Sequence, residues 1–248
     1  MEIVQTNQLT PPETKPVPPW SDLLLYIGGG AGGFLLASLV ASYFIRQLTL
    51  PTVLVFYALN IFFLAGSALL GARLGKLNLR ALGFLPPRIS PEWIFGGIAI
   101  SLALLPVRGI LALLVQFLSG ASQQGLETRM DLMVPGGISW LSFIVTLVFA
   151  GILIPISEEL FFRGALFGWF RAHYNFPVAL VVSSALFGLA HFDSIAVVAS
   201  TLILGVANAW LLEKTKTLWV PILMHMTTNT VAVLAIYALG SFAPQLLH

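Results

Sequence analysis

The residues of this sequence that could do chemistry fall into three short segments of its C-terminal half. The first reads Ser-Glu-Glu-Leu-Phe-Phe-Arg at 157–163, the second Phe-Gly-Leu-Ala-His at 187–191, and the third His-Met-Thr-Thr-Asn at 225–229. Each segment is embedded in apolar sequence. Because an ionisable group is costly to bury in apolar surroundings, such groups mark candidate functional sites.

Helical spacing gives the two glutamates of the first segment different roles. Residues four apart lie on one face of a helix, so Glu159 is placed to pair with Arg163. Glu158 lies about 100° away around the helix axis, and no basic residue stands three or four positions after it. The sequence therefore predicts that the Glu158 carboxylate is left free for chemistry.

The two histidines each have a neighbour at helical spacing and lie at a compatible depth. Phe187 precedes His191 by one helical turn, and Asn229 follows His225 by one turn. In two antiparallel helices, Glu158 and His191 would each lie about 25 Å from the connecting turn. His225 and Asn229 would lie about 12 and 18 Å from the next turn on the same side. This arrangement permits one site formed by Glu158, His191, His225 and Asn229.

Each of these residues also has a purely structural interpretation. Ser157 could cap a helix whose positive end favours the two glutamates that follow it, and a single histidine in an apolar helix is commonly a satisfied structural group. We favour a site because the helix continues through mostly apolar residues, LFFRGALFGWF. Two partnered histidines and a free carboxylate at similar depth also point to function.

The composition indicates that these segments lie in a membrane. The 12 Lys and Arg and 10 Asp and Glu residues make up only 9% of the 248 residues, hydrophobic residues make up 58%, and the mean hydropathy is +0.93. Soluble chains carry about 25% charged residues, so a water-soluble or disordered protein is excluded. There is no basic stripe for nucleic acid, and the lack of cysteine excludes disulfides and thiol catalysis.

Long uncharged runs predict the helices, since a bilayer core about 30 Å thick is crossed by about 20 apolar residues. We predict an all-α polytopic membrane helix bundle of about eight helices. Residues 1–20 should form a flexible polar tail and residues 21–248 a single transmembrane domain. The predicted crossings are 23–45, 51–72, 93–118, 138–157, 177–192, 195–212 and 219–240, and an eighth apolar helix, 158–171, continues the fourth.

The basic residues indicate the orientation, because cytoplasmic loops are enriched in Lys and Arg. A cytoplasmic N-terminus leaves two of the assigned basic residues outside, Arg46 and Arg129, and places nine inside: Lys15, Arg73, Lys76, Arg80, Arg88, Arg163, Arg171, Lys214 and Lys216. We therefore predict a multi-pass integral protein of the plasma or inner membrane. Arg108, within the third crossing, should pair with a buried acid or snorkel. The glycines of segment 28–33 should allow close helix packing.

The three segments together resemble the motifs of a known family. Glu-Glu-x-x-x-Arg, Phe-x-x-x-His and His-x-x-x-Asn, in this order and spacing, are similar to those of the CAAX prenyl protease and bacteriocin-processing family of intramembrane endopeptidases, which includes the type II CAAX prenyl endopeptidases. The resemblance covers about residues 138–232. It implies hydrolysis of a peptide bond in a catalytic cavity in the C-terminal half of an eight-helix bundle. The expected substrate is the region near the C-terminus of a prenylated, CAAX-type protein or peptide.

The resemblance also implies a role for each motif residue. Glu158 with His191 would activate a water molecule, and His225 and Asn229 would donate hydrogen bonds to the oxyanion of the tetrahedral intermediate. The pairing of Glu159 with Arg163 would orient the helix, and Phe187 would support His191.

Two questions stay open at the level of sequence. Glu158, His191 and His225 are a ligand set that can bind zinc, yet the His-x-x-x-His pattern of many zinc proteases is missing. We therefore favour no metal and no other cofactor, with zinc as the alternative. The alternative function is a non-catalytic membrane scaffold, immunity factor or transporter-like protein with a polar intramembrane site.

Overall fold

The chain folds into an all-helical bundle, seen in a computed structural model that describes residues 17–44, 49–74, 82–84, 89–120, 124–192 and 194–242. Helix α1 runs through Trp20–Leu25, a more widely wound segment Tyr26–Gly32, and Gly33–Phe44. The other helices within these ranges are α2 (Leu50–Leu74), α3 (Pro91–Ser119), α4 (Gln124–Met133), α5 (Trp140–His173), α6 (Phe176–Leu189), α7 (Ile195–Thr215) and α8 (Trp219–Phe242).

Most of these helices are suited to a bilayer. Six helical stretches are long and apolar enough to cross a membrane: Trp20–Leu39, Leu50–Leu74, Pro91–Ser119, Trp140–His173, Ile195–Thr215 and Trp219–Phe242. Large apolar side chains such as Phe62, Phe95 and Phe117 point away from the bundle, as expected where lipid is the solvent. The predicted all-α, multi-pass membrane bundle is confirmed.

The eighth helix differs from the predicted one. Segments 138–157 and 158–171 form the single helix α5, in keeping with the predicted continuation. The additional helix in the described part of the chain is α4, with the sequence QGLETRMDLM. Hydrophobic runs cannot reveal this segment because it is polar. Glu127 lies in its first turn.

The predicted crossing 177–192 is corrected, because helix α6 ends at Leu189. Its 14 residues span about 21 Å, which is short of a hydrocarbon core of about 30 Å. The chain then turns before α7 begins at Ile195. His191 consequently lies in the turn between two helices and not within a membrane-crossing helix.

Several predictions fall on residues that the structure does not describe. These are most of the predicted tail (1–16, with Lys15), Arg46, and the basic residues Lys76, Arg80 and Arg88 of the loop between the second and third crossings. The cytoplasmic placement of the N-terminus, which depends on these residues, stays a prediction, as does the division into a tail and one domain.

Gly30 of segment 28–33 allows the close packing that the sequence predicts, and Gly71 of α2 allows a similar contact that was not predicted. A methyl group on Gly30 would lie 2.6 Å from the Ser67 hydroxyl oxygen of α2 and would also overlap the Phe161 ring of α5. One on Gly71 would lie 2.8 Å from the hydroxyl oxygen of the buried Tyr26. The first helix is therefore held to the bundle by contacts that leave no room for a side chain.

This packing predicts opposite effects for two glycines of the same helix. Gly71→Ala should lower the free energy of unfolding by about 1 kcal/mol or more, since the methyl group overpacks against a buried aromatic ring. Gly66→Ala should be neutral or stabilise by up to about 1 kcal/mol, because nothing lies within 4 Å of its added methyl group. Denaturant titration of both variants in detergent, followed by tryptophan fluorescence, measures the difference. Equal midpoints would contradict the packing described here.

Candidate active site

Helix α5 carries both glutamates of the first motif in an unusual local setting. Its α-helical stretch Ile154–Glu159 lies between two π-helical stretches, Phe149–Leu153 and Leu160–Phe167. A π-helical turn holds an extra residue and changes the direction of the side chains that follow, and such turns are frequent at functional sites. Glu158 is 7% exposed and Glu159 is fully buried.

Glu159 is the anchor of a buried polar network. Its Oε2 lies 3.2 Å from Arg163 Nε, so the pair predicted from helical spacing forms. Arg163 also donates from Nη2 to the Gly205 carbonyl oxygen at 3.1 Å, and its guanidinium lies 4.3 Å from the centre of the Phe187 ring. Asn208 of α7 donates its amide to Glu159 Oε1 at 2.7 Å. Each oxygen of the Glu159 carboxylate thus has a polar partner, Oε1 through a hydrogen bond and Oε2 through the ion-pair contact with Arg163.

His225 of α8 bridges the two glutamates. Its Nδ1 lies 2.8 Å from Glu159 Oε1, and its Nε2 lies 3.6 Å from Glu158 Oε2. An ionised carboxylate can only accept a hydrogen bond, so Nδ1 carries a proton in this arrangement. Glu159 thereby fixes the orientation of the imidazole ring and directs Nε2 towards Glu158.

The Glu158 carboxylate is the uncommitted acid of the site. Across the described ranges it accepts no hydrogen bond, and its ion-pair contact is the long one to His225. Its side chain keeps 10% of its surface exposed. A buried carboxylate without hydrogen bonds costs stability, and such groups cluster at functional sites.

His191 and Asn229 complete the group from two other elements. His191 Nδ1 lies 2.9 Å from the Phe187 carbonyl oxygen, which can only accept, so a neutral His191 carries its proton on Nδ1 and keeps a lone pair on Nε2. Asn229 donates one amide hydrogen to the Ala150 carbonyl oxygen at 3.0 Å and retains a second. Both residues keep polar groups available for a bound molecule.

The structure brings some of the four predicted site residues into contact and leaves others apart. Glu158 and His225 are in contact, whereas His191 forms no ion pair with Glu158 in the part of the chain that is described. The Phe187 ring lies between the two histidines, with ring centres 4.9 Å from His191 and 5.6 Å from His225. Phe187 therefore packs against both imidazoles, although its spacing in the sequence predicts a contact with His191 only.

Two polar residues near the site were not singled out from the sequence. Asn208 is fully buried and donates a hydrogen bond to Glu159. Its position as a polar residue within the uncharged run 194–212 could have identified it as a candidate site residue. Arg129 of α4 acts electrostatically on both Glu158 and His191. Its position is set by the packing of a polar helix, for which the sequence pattern gives no indication.

The arrangement of possible ligands does not resemble a metal centre. Among the described residues, no three His, Cys, Asp or Glu side chains are grouped so that they could hold a metal ion. Glu158, His191 and His225, the ligand set considered for zinc, therefore do not fit that role in this conformation. We derive no chemical step through a metal.

Comparisons with known proteins point to peptidases. Residues 140–231 match the family model described as Type II CAAX prenyl endopeptidase Rce1-like, which confirms the resemblance over this segment. The chain is 30% identical over 146 residues to the "Putative membrane peptidase YdiL" of Bacillus subtilis, covering 59% of this chain and 56% of the relative.

A second relative covers a smaller region. The protein YxdF of Lactococcus lactis is 34% identical over 92 residues, which are 37% of this chain and 50% of the relative. The chain thus spans about half the length of these curated relatives. No solved structure matches it.

Proposed function

We propose that this protein is an intramembrane endopeptidase in which Glu158 and His191 activate a water molecule that hydrolyses a peptide bond. The observation that carries the proposal is the buried, uncommitted Glu158 carboxylate beside His225. It lies within the segment that matches the peptidase family. The peptidase name of a relative supports the same class of reaction.

The proposed reaction is a general-base hydrolysis. Glu158 takes a proton from the water as the water oxygen attacks the carbonyl carbon of the scissile bond. When the carbon–nitrogen bond breaks, the same proton is delivered to the leaving nitrogen. His191 orients the water, because its Nε2 lone pair can accept a hydrogen bond while Nδ1 is held by the Phe187 carbonyl.

The oxyanion formed in this reaction needs hydrogen-bond donors that are already in place. Asn229 can supply its second amide hydrogen, since the first is used on Ala150. His225, whose Nε2 lies 3.6 Å from Glu158 Oε2, would donate the second hydrogen bond from that nitrogen. Glu159, Arg163 and Asn208 position His225 and do not themselves react.

We further propose a lipid-modified substrate, a protein or peptide that carries a prenyl group near its C-terminus. An attached prenyl chain partitions into the bilayer and would bring the peptide to a site that lies among membrane-crossing helices. The family description supports this class of substrate.

We also propose that the N-terminus lies inside the cell. The loops predicted to carry most of the basic residues would then face the cytoplasm.

The proposal predicts cleavage of a prenylated C-terminal peptide by the purified protein in detergent. Glu158→Ala and His191→Ala should each lose that cleavage, while the unprenylated peptide should be cleaved more slowly because it is not concentrated in the micelle. Mass spectrometry of the products checks this. If no peptide of any kind is cleaved, or if Glu158→Ala cleaves as well as wild type, the non-catalytic scaffold becomes the better account.

Metal dependence is tested on the same preparation. Because no three-ligand group is present in the described part of the chain, we expect chelation to leave cleavage within about twofold of the untreated rate, a change well under 1 kcal/mol in barrier. The zinc content of the purified protein is measured in parallel. Stoichiometric zinc that is lost together with activity would overturn the metal-independent mechanism.

A further inference from the structure

Asn60 of α2 carries a buried side-chain amide that the proposed mechanism does not use. The residue is 7% exposed, and its Oδ1 is buried without a hydrogen-bond partner. Within the described ranges the amide nitrogen forms no hydrogen bond either. An unpartnered amide inside an apolar helix bundle lowers the stability of the fold, and such groups are rare in native proteins. A role in binding would account for its presence.

Two other polar side chains of the membrane-crossing helices show the contrast, because each is bonded to a neighbouring helix. Ser101 of α3 lies 2.7 Å from the Thr228 hydroxyl of α8. Arg108, for which the sequence predicts a buried acid partner or a snorkelling position, donates from Nε to the Ser200 carbonyl oxygen of α7 at 3.0 Å. Asn60 makes no such bond to the part of the chain that is described, so hydrogen bonding does not explain its place in α2.

Helices α2 and α5 run side by side in the same direction. Near the start of the contact, Tyr57 and Ile154 belong to one packed cluster. Further along both helices, Ser67 and Phe161 would each overlap a methyl group added to Gly30. The order of these contacts is the same on both helices, which fixes how the residues between them correspond.

Asn60 and Glu158 occupy corresponding positions between these two contacts. Asn60 follows Tyr57 by three residues and Glu158 follows Ile154 by four. Each therefore lies one turn further along on the same face of its helix. Because Tyr57 and Ile154 pack together and the helices are parallel, Asn60 lies at the level of Glu158, on the face of α2 that packs against α5.

This position gives the proposed site a second asparagine. Asn229 of α8 donates to the Ala150 carbonyl oxygen of α5, and Ala150 belongs to the same cluster as Tyr57. Asn229 thus approaches this part of α5 from α8, and Asn60 approaches it from α2. The side chain of Glu158, which keeps 10% of its surface exposed, follows on the same helix.

We infer that Asn60 binds the peptide substrate, through a hydrogen bond between its side-chain amide and a backbone amide group next to the scissile bond. This inference rests on the proposed peptidase function and deepens it. A side-chain amide offers one acceptor oxygen and two donor hydrogens, which complement the N–H and C=O of a peptide group. It carries no charge, so the peptide backbone suits it better than a charged side chain or a lipid phosphate. Substrate binding would supply the partner that Asn60 lacks.

The first test replaces Asn60 with leucine, which has a similar size and cannot form a hydrogen bond. In Asn60→Leu, kcat/KM for the prenylated peptide should fall by about 3- to 10-fold, the range for one hydrogen bond. The unfolding midpoint in urea should stay the same or rise, because an unpartnered buried amide has been replaced by an apolar group. A lower midpoint would assign Asn60 a structural role and overturn the inference.

Ser67→Ala is the matched control on the same helix. The Ser67 hydroxyl is buried and donates to the Leu64 carbonyl oxygen of its own helix at 3.0 Å. This variant should leave kcat/KM within about twofold of wild type. A loss as large as that of Asn60→Leu would mean that any change in the buried face of α2 slows cleavage, which contradicts a specific role for Asn60.

Substrates with one ester in place of an amide identify the contact directly. The ester is placed in turn on either side of the scissile bond, where it removes one N–H and weakens one C=O. Wild type should cleave one of the two esters about 3- to 10-fold more slowly than the parent peptide, and Asn60→Leu should cleave that ester and the peptide equally fast. Equal kcat/KM for wild type and Asn60→Leu, or ester effects that persist unchanged in the variant, would overturn the inference and leave the peptidase proposal intact.

A binding assay in the Glu158→Gln background separates the two proposals, because it needs no cleavage. Glu158→Gln should bind the prenylated peptide about 3- to 10-fold more tightly than the same protein that also carries Asn60→Leu. This difference supports the backbone contact even if wild type forms no product. Equal affinity of the two proteins, or a lack of binding by both, contradicts it.

Discussion

Replacing Arg163 with methionine is expected to lower the free energy of unfolding by about 3–5 kcal/mol, the cost of breaking a buried ion pair from one side. The variant leaves the Glu159 carboxylate fully buried without its cation. It also removes the hydrogen bond to the Gly205 carbonyl and the contact with the Phe187 ring. Methionine fills most of the volume, so the loss reports charge and hydrogen bonding more than a cavity.

The matched control for this variant is Arg171→Met on the same helix. Arg171 also pairs with a glutamate, at 3.3 Å from Glu213, but its side chain is 42% exposed. Exposed pairs contribute about 0–1 kcal/mol. Urea titration of both variants in detergent, followed by tryptophan fluorescence, should show a large loss for Arg163→Met and a small one for Arg171→Met. Equal midpoints would mean that the Glu159–Arg163 pair does not anchor the fold.

Replacing Glu158 with glutamine should lower kcat by about 100- to 10,000-fold, the contribution of a general base. Glutamine matches the shape of glutamate and cannot take a proton from water. Because the Glu158 carboxylate accepts no hydrogen bond within the described chain, its loss should leave the unfolding midpoint unchanged or slightly higher. Loss of activity without loss of stability distinguishes a catalytic group from a structural one.

The matched control for the second variant is Glu213→Gln, which removes one carboxylate of the surface pairs with Arg171 and Lys216. It should leave kcat within about twofold of wild type, since exposed pairs contribute about 0–1 kcal/mol to stability and none to the site. If Glu158→Gln retains wild-type kcat, another group is the base. If it loses activity together with its fold, as judged by the same urea titration, the carboxylate is structural.

Sequence reasoning predicted what depends on a single helix. The Glu159–Arg163 pair follows from the four-residue spacing alone, and α5 forms as one long apolar helix. The free state of Glu158 follows from the absence of a basic residue at the next turn. These features need no knowledge of neighbouring helices, because i,i+4 contacts are set by the helix geometry itself.

Features that depend on packing between helices were missed. The contacts of His225 with both glutamates were not predicted, because they depend on how α8 is rotated against α5; its role as an oxyanion donor stays a prediction. The length of α6 was overestimated because apolar residues continue through Ala190 and Phe192 after the helix has ended. Helix α4, which carries Arg129, is too polar for a hydrophobic run to reveal it.

The most direct test of the account is cleavage of a prenylated C-terminal peptide in water enriched in oxygen-18, with wild type and Glu158→Gln compared side by side. Wild type should release an N-terminal product with oxygen-18 in its new carboxyl group. In the same time, Glu158→Gln should release an amount of this labelled product that is lower by at least about 100-fold. Failure of wild type to form this product, or equal amounts of labelled product from both proteins, would contradict a peptidase that uses Glu158 to activate water.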